Sequence, residues 1–269
     1  MRFVAIEDSQ INLTSVNMAT GEADTSVDLK HSKDGLTWTQ HDFNPIPLAA
    51  GETLYLKGNN ENGFCYMNME TAEGRMCTFG DLSFIGIQNT PSTGKFECHG
   101  NIMSLLYGDD FEGKTTIPSA KCFTYLFANC SGLTTAPELP ATTLADTCYF
   151  AMFYGSESLT TAPELPATTL VDGCYNGMFR GCTSLTTAPE LPATTLEPSC
   201  YDSMFGDCTN LSRITMLATN ISASSCLYHW VDGVSSTGTF VKHPDMASLP
   251  TGKSGIPEGW TVIDYDFKN

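Results

Sequence analysis

Positive charge is scarce in this chain. Its 269 residues hold 13 lysines and arginines against 30 aspartates and glutamates, a formal charge of −17. Phosphate backbones and anionic membrane surfaces bind through clustered cations, so nucleic acid is not an expected partner. Long apolar runs are missing too. No stretch approaches the ~20 residues that a bilayer span needs, and membrane insertion is not expected. The opening MRFVAIEDSQ carries Glu7 and Asp8 and lacks an apolar core of signal-peptide length, so export by the usual route is not expected. Neither Cys-x-x-Cys nor His-Glu-x-x-His occurs, and the five histidines, His31, His41, His99, His229 and His243, are scattered. No metal ligand set and no cofactor is expected from them. No Ser-His-Asp or Cys-His grouping assembles from local sequence, so no catalytic residue is assigned.

Two near-motifs dissolve on inspection. SKDGLTW at 32–38 is one residue short of the Asp-box of sialidases and occurs once, which leaves a hairpin turn around Asp34-Gly35. TGKS at 251–254 has the ending of a phosphate-binding loop, but Ala247 stands where its first glycine is needed and Ile256-Pro257 cannot open the required helix. It reads as a loop.

What the chain does have is repetition. LTTAPELPATTL occurs at 133–144, 159–170 and 185–196 without a change, at a spacing of 26 residues. A period of that length makes each copy one turn of a stack that buries its apolar side only against its neighbours. Hydrophobic residues, at 41%, suffice for that core. The stacked apolar columns are Tyr149, Tyr175 and Tyr201; Met152, Met178 and Met204; Phe127, Phe153, Phe179 and Phe205; and Leu133, Leu159, Leu185 and Leu211. A short strand is expected over LTTAPEL, where threonine favours β-structure and proline ends it. The CYxxMFxG stretch, with bulky residues at near-helical spacing, predicts a helical turn or short 3₁₀ segment ending at Gly155, Gly181 or Gly233.

Eleven cysteines cannot all pair within one chain. Cys122, Cys148, Cys174, Cys200 and Cys226 recur every 26 residues, and Cys130, Cys182 and Cys208 form a second column. Pairing between adjacent turns is geometrically allowed. A buried thiol serving as a small apolar filler is the preferred reading.

Both ends of the repeat degenerate as caps should. The last unit keeps Cys226 but has Trp230-Val231 for Met-Phe and Val234 for the second cysteine. GTFVK and GWTVIDYDF read as closing strands. Residues 1–90 lack the period. VDLKHSKDGLTWTQ, ETLYLKG and FCYMNME are strand candidates there, with a boundary near 89–95. Trp38, Tyr55, Phe64 and Tyr66 are aromatic residues at strand spacing and are not assigned a site.

The pattern F-x-x-C-x-x-L, a short strand, L-P, then a return to C-Y-x-x-M-F, resembles the BspA-like, or Treponema pallidum-type, leucine-rich repeats over roughly residues 95–269. The segments GKFECHGNIMSLLYGDDFEGKTT and SGIPEGWTV also resemble parts of gut Bacteroidales proteins and of proteins of the phages that infect them. The fold class this implies is α/β: a short leucine-rich-repeat solenoid of about five 26-residue turns, preceded by a small β-sandwich. Its expected pieces are an attachment domain at 1–90, a cap at 91–121, repeats at 122–234 and a C-terminal β cap at 235–269.

The resemblance implies a non-enzymatic binding or display role. The leading expectation is a phage virion decoration or fibre at the virion surface, with residues 1–90 docked on other virion proteins and the repeats meeting a host-cell surface protein or glycan. A bacterial cell-surface adhesin is the alternative, a glycan-acting enzyme is held below both, and homo-oligomers are left open. The expected ligand face is the outward row of each copy: Thr134, Thr135 and Glu138; Thr160, Thr161 and Glu164; Thr186, Thr187 and Glu190, beside Pro137, Pro163 and Pro189. Stacked carboxylates would repel one another or draw a cation such as calcium.

Overall fold

The structure, a computed structural model, describes residues 1–17, 27–63, 83–88, 94–246 and 248–268. The strand predicted over FCYMNME, with Phe64 and Tyr66, and most of the boundary near 89–95 lie outside the described residues. The described residues form a β-rich fold of small sheets with almost no helix. Their single helix, α1 (Ser104–Tyr107), is four residues long. No helix among them is long and apolar enough to cross a membrane.

Strands β1 (Arg2–Ala5), β3 (Lys30–Ser32), β4 (Thr39–Gln40), β6 (Thr53–Lys57), β8 (Phe96–His99) and β9 (Leu133–Thr135) share one sheet, ordered β4-β3-β6-β1-β8-β9. A second sheet orders β5 (Ile46–Leu48), β2 (Ser9–Asn17) and β7 (Ser83–Gln88) as β5-β2-β7. Two-residue alternation sets the buried face of the first sheet: Phe3 and Ala5, Leu54 and Leu56, Phe96 and Cys98 all point into the core. The hairpin predicted around Asp34-Gly35 forms, with Lys30 opposite Gln40 and His31 opposite Thr39. The Asp34 carboxylate accepts the Leu36 and Thr37 amides at 2.8 and 2.7 Å, which holds its pKa below the usual carboxylate range.

β8 runs antiparallel to β1 and parallel to β9. The sheet therefore passes without a break from the N-terminal strands into the repeats, and residues of both belong to one core.

Within the repeats, equivalent residues lie directly over one another. The rings of Phe127, Phe153, Phe179 and Phe205 stack at centroid spacings of 5.4, 5.5 and 5.8 Å. Tyr149, Tyr175 and Tyr201 stack at 5.8 and 6.2 Å. The methionine and leucine columns are equally buried. Trp230 closes the phenylalanine row, 6.2 Å from Phe205, and its indole N–H donates to the Gly255 carbonyl at 2.8 Å.

In place of the helical turn or short 3₁₀ segment predicted over CYxxMFxG, the stretch is a run of tight turns with single i→i−3 bonds. Every fourth residue is left-handed: Lys121, Tyr125 and Asn129 have φ of 59°, 57° and 56°, and the same positions recur at Thr147, Ala151 and Gly155. Such a residue ends an α-helix rather than continuing it. The amides confirm why. Phe123, Tyr125 and Phe127 donate to Cys148, Phe150 and Met152 of the next unit, while the intervening Leu126 and Ala128 donate three residues back within the turn. Alternate N–H groups are thus spent on joining units, and none of these bonds is the helical i→i−4 kind.

The strand predicted over LTTAPEL shrinks to Leu133–Thr135 in the first copy. Later copies keep single bridges, Thr135–Thr161 and Thr187–Arg213. Prolines explain the shortening, since Pro137 and Pro140 and their equivalents have no N–H to donate. β10 (Arg213–Met216), without those prolines, pairs in parallel with β11 (Thr239–Lys242), which pairs with β12 (Thr261–Asp264). These are the closing strands predicted over GTFVK and GWTVIDYDF.

Candidate functional site

The strand face of the repeats brings the predicted threonines together. Thr134 and Thr135 are half-buried, while Thr160, Thr161, Thr186 and Thr187 are exposed. The row is tied internally. The Thr134 carbonyl accepts both the amide and the hydroxyl of Thr160, at 3.0 and 3.1 Å, and the Thr134 hydroxyl donates to Phe96 at 3.1 Å. Ser212 continues the row, its amide and hydroxyl donating to Thr186 at 2.9 and 3.4 Å. The 26-residue period alone would have found Ser212, because it stands at the Thr134 position of the next unit. With those hydroxyl protons directed at backbone carbonyls, oxygen lone pairs are what Thr160 offers outward.

Two expectations for this face need correction. Pro137, Pro163 and Pro189 are buried rather than outward. The glutamates do not form one uniform row. Glu138 and Glu164 are exposed on one groove of about 350 Å³ lined also by Pro140, Pro163 and Pro166. Glu190 instead accepts a hydrogen bond from the Tyr265 hydroxyl, and its charge and that bond push the Tyr265 pKa upward. Tyr265 follows β12, outside the repeats, so no sequence period could have revealed this contact. Among the described residues no group of three or more His, Cys, Asp or Glu side chains is placed to hold a metal ion.

The cysteines of both columns are buried. Burial pushes the Cys148 and Cys208 pKa values up to about 12, so both are uncharged at neutral pH and poor nucleophiles. The filler reading is incomplete for the second column. The thiols of Cys182 and Cys208 donate to the carbonyls of Phe153 and Phe179 at 3.1 and 3.0 Å.

Stacking also assembles a polar pocket that linear reading missed. Arg180, Ser203, Asp207, His229 and Asp232 line a small cavity of about 50 Å³. His229 Nδ1 lies 3.3 Å from Asp232 Oδ2, and Arg180 Nε lies 3.3 Å from Asp207 Oδ2. The Ser203 hydroxyl donates to Asp202 at 2.8 Å, so it is engaged by a carboxylate and not by the imidazole. In the N-terminal sheet, Trp38 is covered by the Lys57 ammonium at 4.0 Å, which is itself 2.7 Å from Asp109.

No protein-family model, curated protein or solved structure matches this chain.

Proposed function

We propose that this chain is a non-enzymatic binding and display protein whose 26-residue units form a short, capped solenoid of the BspA-like leucine-rich-repeat kind. Its setting is the phage virion. The N-terminal strands attach it to other virion proteins, and the repeats meet a protein or glycan on a bacterial or mucosal surface.

The observation that carries this reading is the locked threonine face. All four exposed threonines Thr160, Thr161, Thr186 and Thr187 are tied to a neighbouring unit by backbone bonds or bridges, the first two to the unit before and the last two to the unit after. Identical groups repeated about 4.8 Å apart on a rigid support suit many weak contacts with a repetitive surface. The unbroken sheet between N-terminal strands and repeats supports a stiff mounting. The free thiols of Cys98, Cys148, Cys174, Cys182, Cys200, Cys208 and Cys226 fit folding in a reducing compartment, where phage particles assemble.

Immunogold labelling with an antibody to residues 95–269, on purified phage particles and on intact cells of the native source, tests the setting. Gold on particles is the expected result. Gold confined to cell envelopes would replace the virion reading with that of a cell-surface adhesin. Turnover of any substrate in a glycan panel would overturn the non-enzymatic reading.

A further inference from the structure

We propose that the turn face of the first two units is a carbohydrate site, where Tyr125, Phe150 and Tyr154 offer an aromatic platform to the apolar face of a pyranose ring in a neutral or acidic oligosaccharide. This rests on the reading of the chain as a binding protein, but not on its threonine face.

Tyr125 and Phe150 pack together, and Tyr154 follows four residues after Phe150 on the same run of turns. Tyr125 and Tyr154 are each 40% exposed, and the Tyr125 ring meets Phe150 edge to face with centroids 5.3 Å apart. Burial first, and then Tyr154, raises the Tyr125 pKa. Open aromatic rings carrying a polar tip combine a flat apolar surface with a hydrogen-bonding edge, as a sugar ring does. Asn176, one unit on from Phe150 and half-buried, adds an amide able to donate and accept.

Variation between the copies falls on this face. Twelve residues of each copy are identical, yet Tyr125 is followed one and two units on by Ala151 and Gly177, Phe150 by Asn176 and Asp202, and Tyr154 by Arg180 and Gly206. Stacking fixes the core columns but not these positions, and at one end of the stack they carry aromatic rings.

Tyr125 also sits where a tyrosine is unfavourable. Its φ is 57°, and the equivalent Gly177 has φ of 62°. A left-handed conformation costs a residue with a Cβ about 1–2 kcal/mol and glycine almost nothing.

Charge agrees with the ligand class. In a chain of net charge −17, residues 124–129 and 150–155 contain no carboxylate, whereas the later turns carry Asp202, Asp207 and Asp232. A cationic target would be drawn to those later turns. The aromatic end repels neither a neutral nor an acidic saccharide.

The test is binding of the intact chain to a printed array of neutral and sialylated oligosaccharides, followed by titration of the best-bound oligosaccharide in solution. Tyr154→Ala should weaken binding at least about fivefold, and Tyr154→Phe should stay within about twofold, because the ring carries the contact. Tyr125→Gly keeps the fold controlled: it relieves the left-handed strain, so binding should fall while thermal stability does not. Tyr228→Ala should leave binding unchanged, because that exposed ring lies at the other end of the stack. The proposal is overturned by an intact chain that binds nothing on the array, or by binding that survives both Tyr125→Gly and Tyr154→Ala. Binding lost in Thr160→Val and kept in both tyrosine variants would also overturn it, while supporting the strand face.

Discussion

The Ser156 hydroxyl donates to the Phe127 carbonyl at 2.8 Å, fully buried and 29 residues from it in sequence. Cys182 and Cys208 make the same bond to Phe153 and Phe179, so a serine stands in a cysteine slot and does the same work. The slot selects a small side chain with one donor. Ser156→Ala should therefore cost about 1 kcal/mol, the usual net value of a buried hydrogen bond, since the Phe127 carbonyl keeps its second donor, the Cys130 amide. Ser156→Cys should stay within about 0.5 kcal/mol of the native protein. Urea unfolding of both variants decides it, and equal losses would show that packing, not the donor, governs the slot.

Tyr149 makes the opposite case. Its ring is stacked between Phe123 and Tyr175, but its buried hydroxyl has no hydrogen-bond partner. Such a group loses its water without compensation. Tyr149→Phe is expected to be neutral or to stabilise by up to about 1 kcal/mol, measured as a rise in urea midpoint at constant slope. A clear loss of stability would mean that the hydroxyl is satisfied in solution.

How far the sequence could be read depended on what the period exposes. Columns such as Phe127, Phe153, Phe179 and Phe205 were legible because stacking demands the same apolar group at every turn. The left-handed turns were legible only in part. Asn129, Gly155, Gly181, Asp207 and Gly233 show the residue types that tolerate positive φ, whereas Lys121, Tyr125, Thr147, Ala151 and Ser203 adopt it without any such signature. Between-unit hydrogen bonds impose that conformation, and the bulky residues at near-helical spacing then pointed to a helix instead. The site divided in the same way. The threonine row followed from the period, but the Glu190–Tyr265 contact and the aromatic residues Tyr125, Phe150 and Tyr154 depend on one unit differing from the next, which a repeat consensus hides.

The buried thiols make stability fall at high pH. Cys148 and Cys208 ionise near 12 when folded, against about 8.5 in the unfolded chain, and Cys174, Cys182 and Cys200 are shifted in the same direction. Between those values the folded state holds protons that the unfolded state has released. Each such group contributes stability that is complete below about pH 8.5 and is lost at about 1.4 kcal/mol per pH unit above it. Unfolding free energy should be level from pH 7 to 8 and lower by on the order of 4 kcal/mol at pH 10 from Cys148 and Cys208 alone. Urea curves at pH 8 and pH 10 that agree within about 1 kcal/mol would contradict the burial of these thiols.

At low pH the critical group is His41. Its Nδ1 lies 3.3 Å from His31 Nδ1, its ring packs edge-on against Phe43, it is only 4% exposed, and its Nε2 has no partner. Burial first, then the neighbouring His31, lower its pKa to about 4, with Asp42 opposing. One neutral imidazole can donate to the other across that contact, whereas two imidazolium rings cannot remain there. A folded pKa below the unfolded 6.5 means that the stabilisation is present above pH 6.5 and is lost as pH falls toward 4. The hairpin of β3 and β4 should loosen first, because it forms the edge of the sheet and has a neighbour on one side only. Unfolding free energy should drop by roughly 2 kcal/mol between pH 6.5 and 4.5. His41→Phe should lessen that drop, since an uncharged ring of similar size has no proton to take up. The direct measurement is the pH titration of the histidine ring protons by NMR. An inflection for His41 below pH 5 supports the account, and one near pH 6.5 would mean that the ring is solvated and that the contact with His31 does not persist.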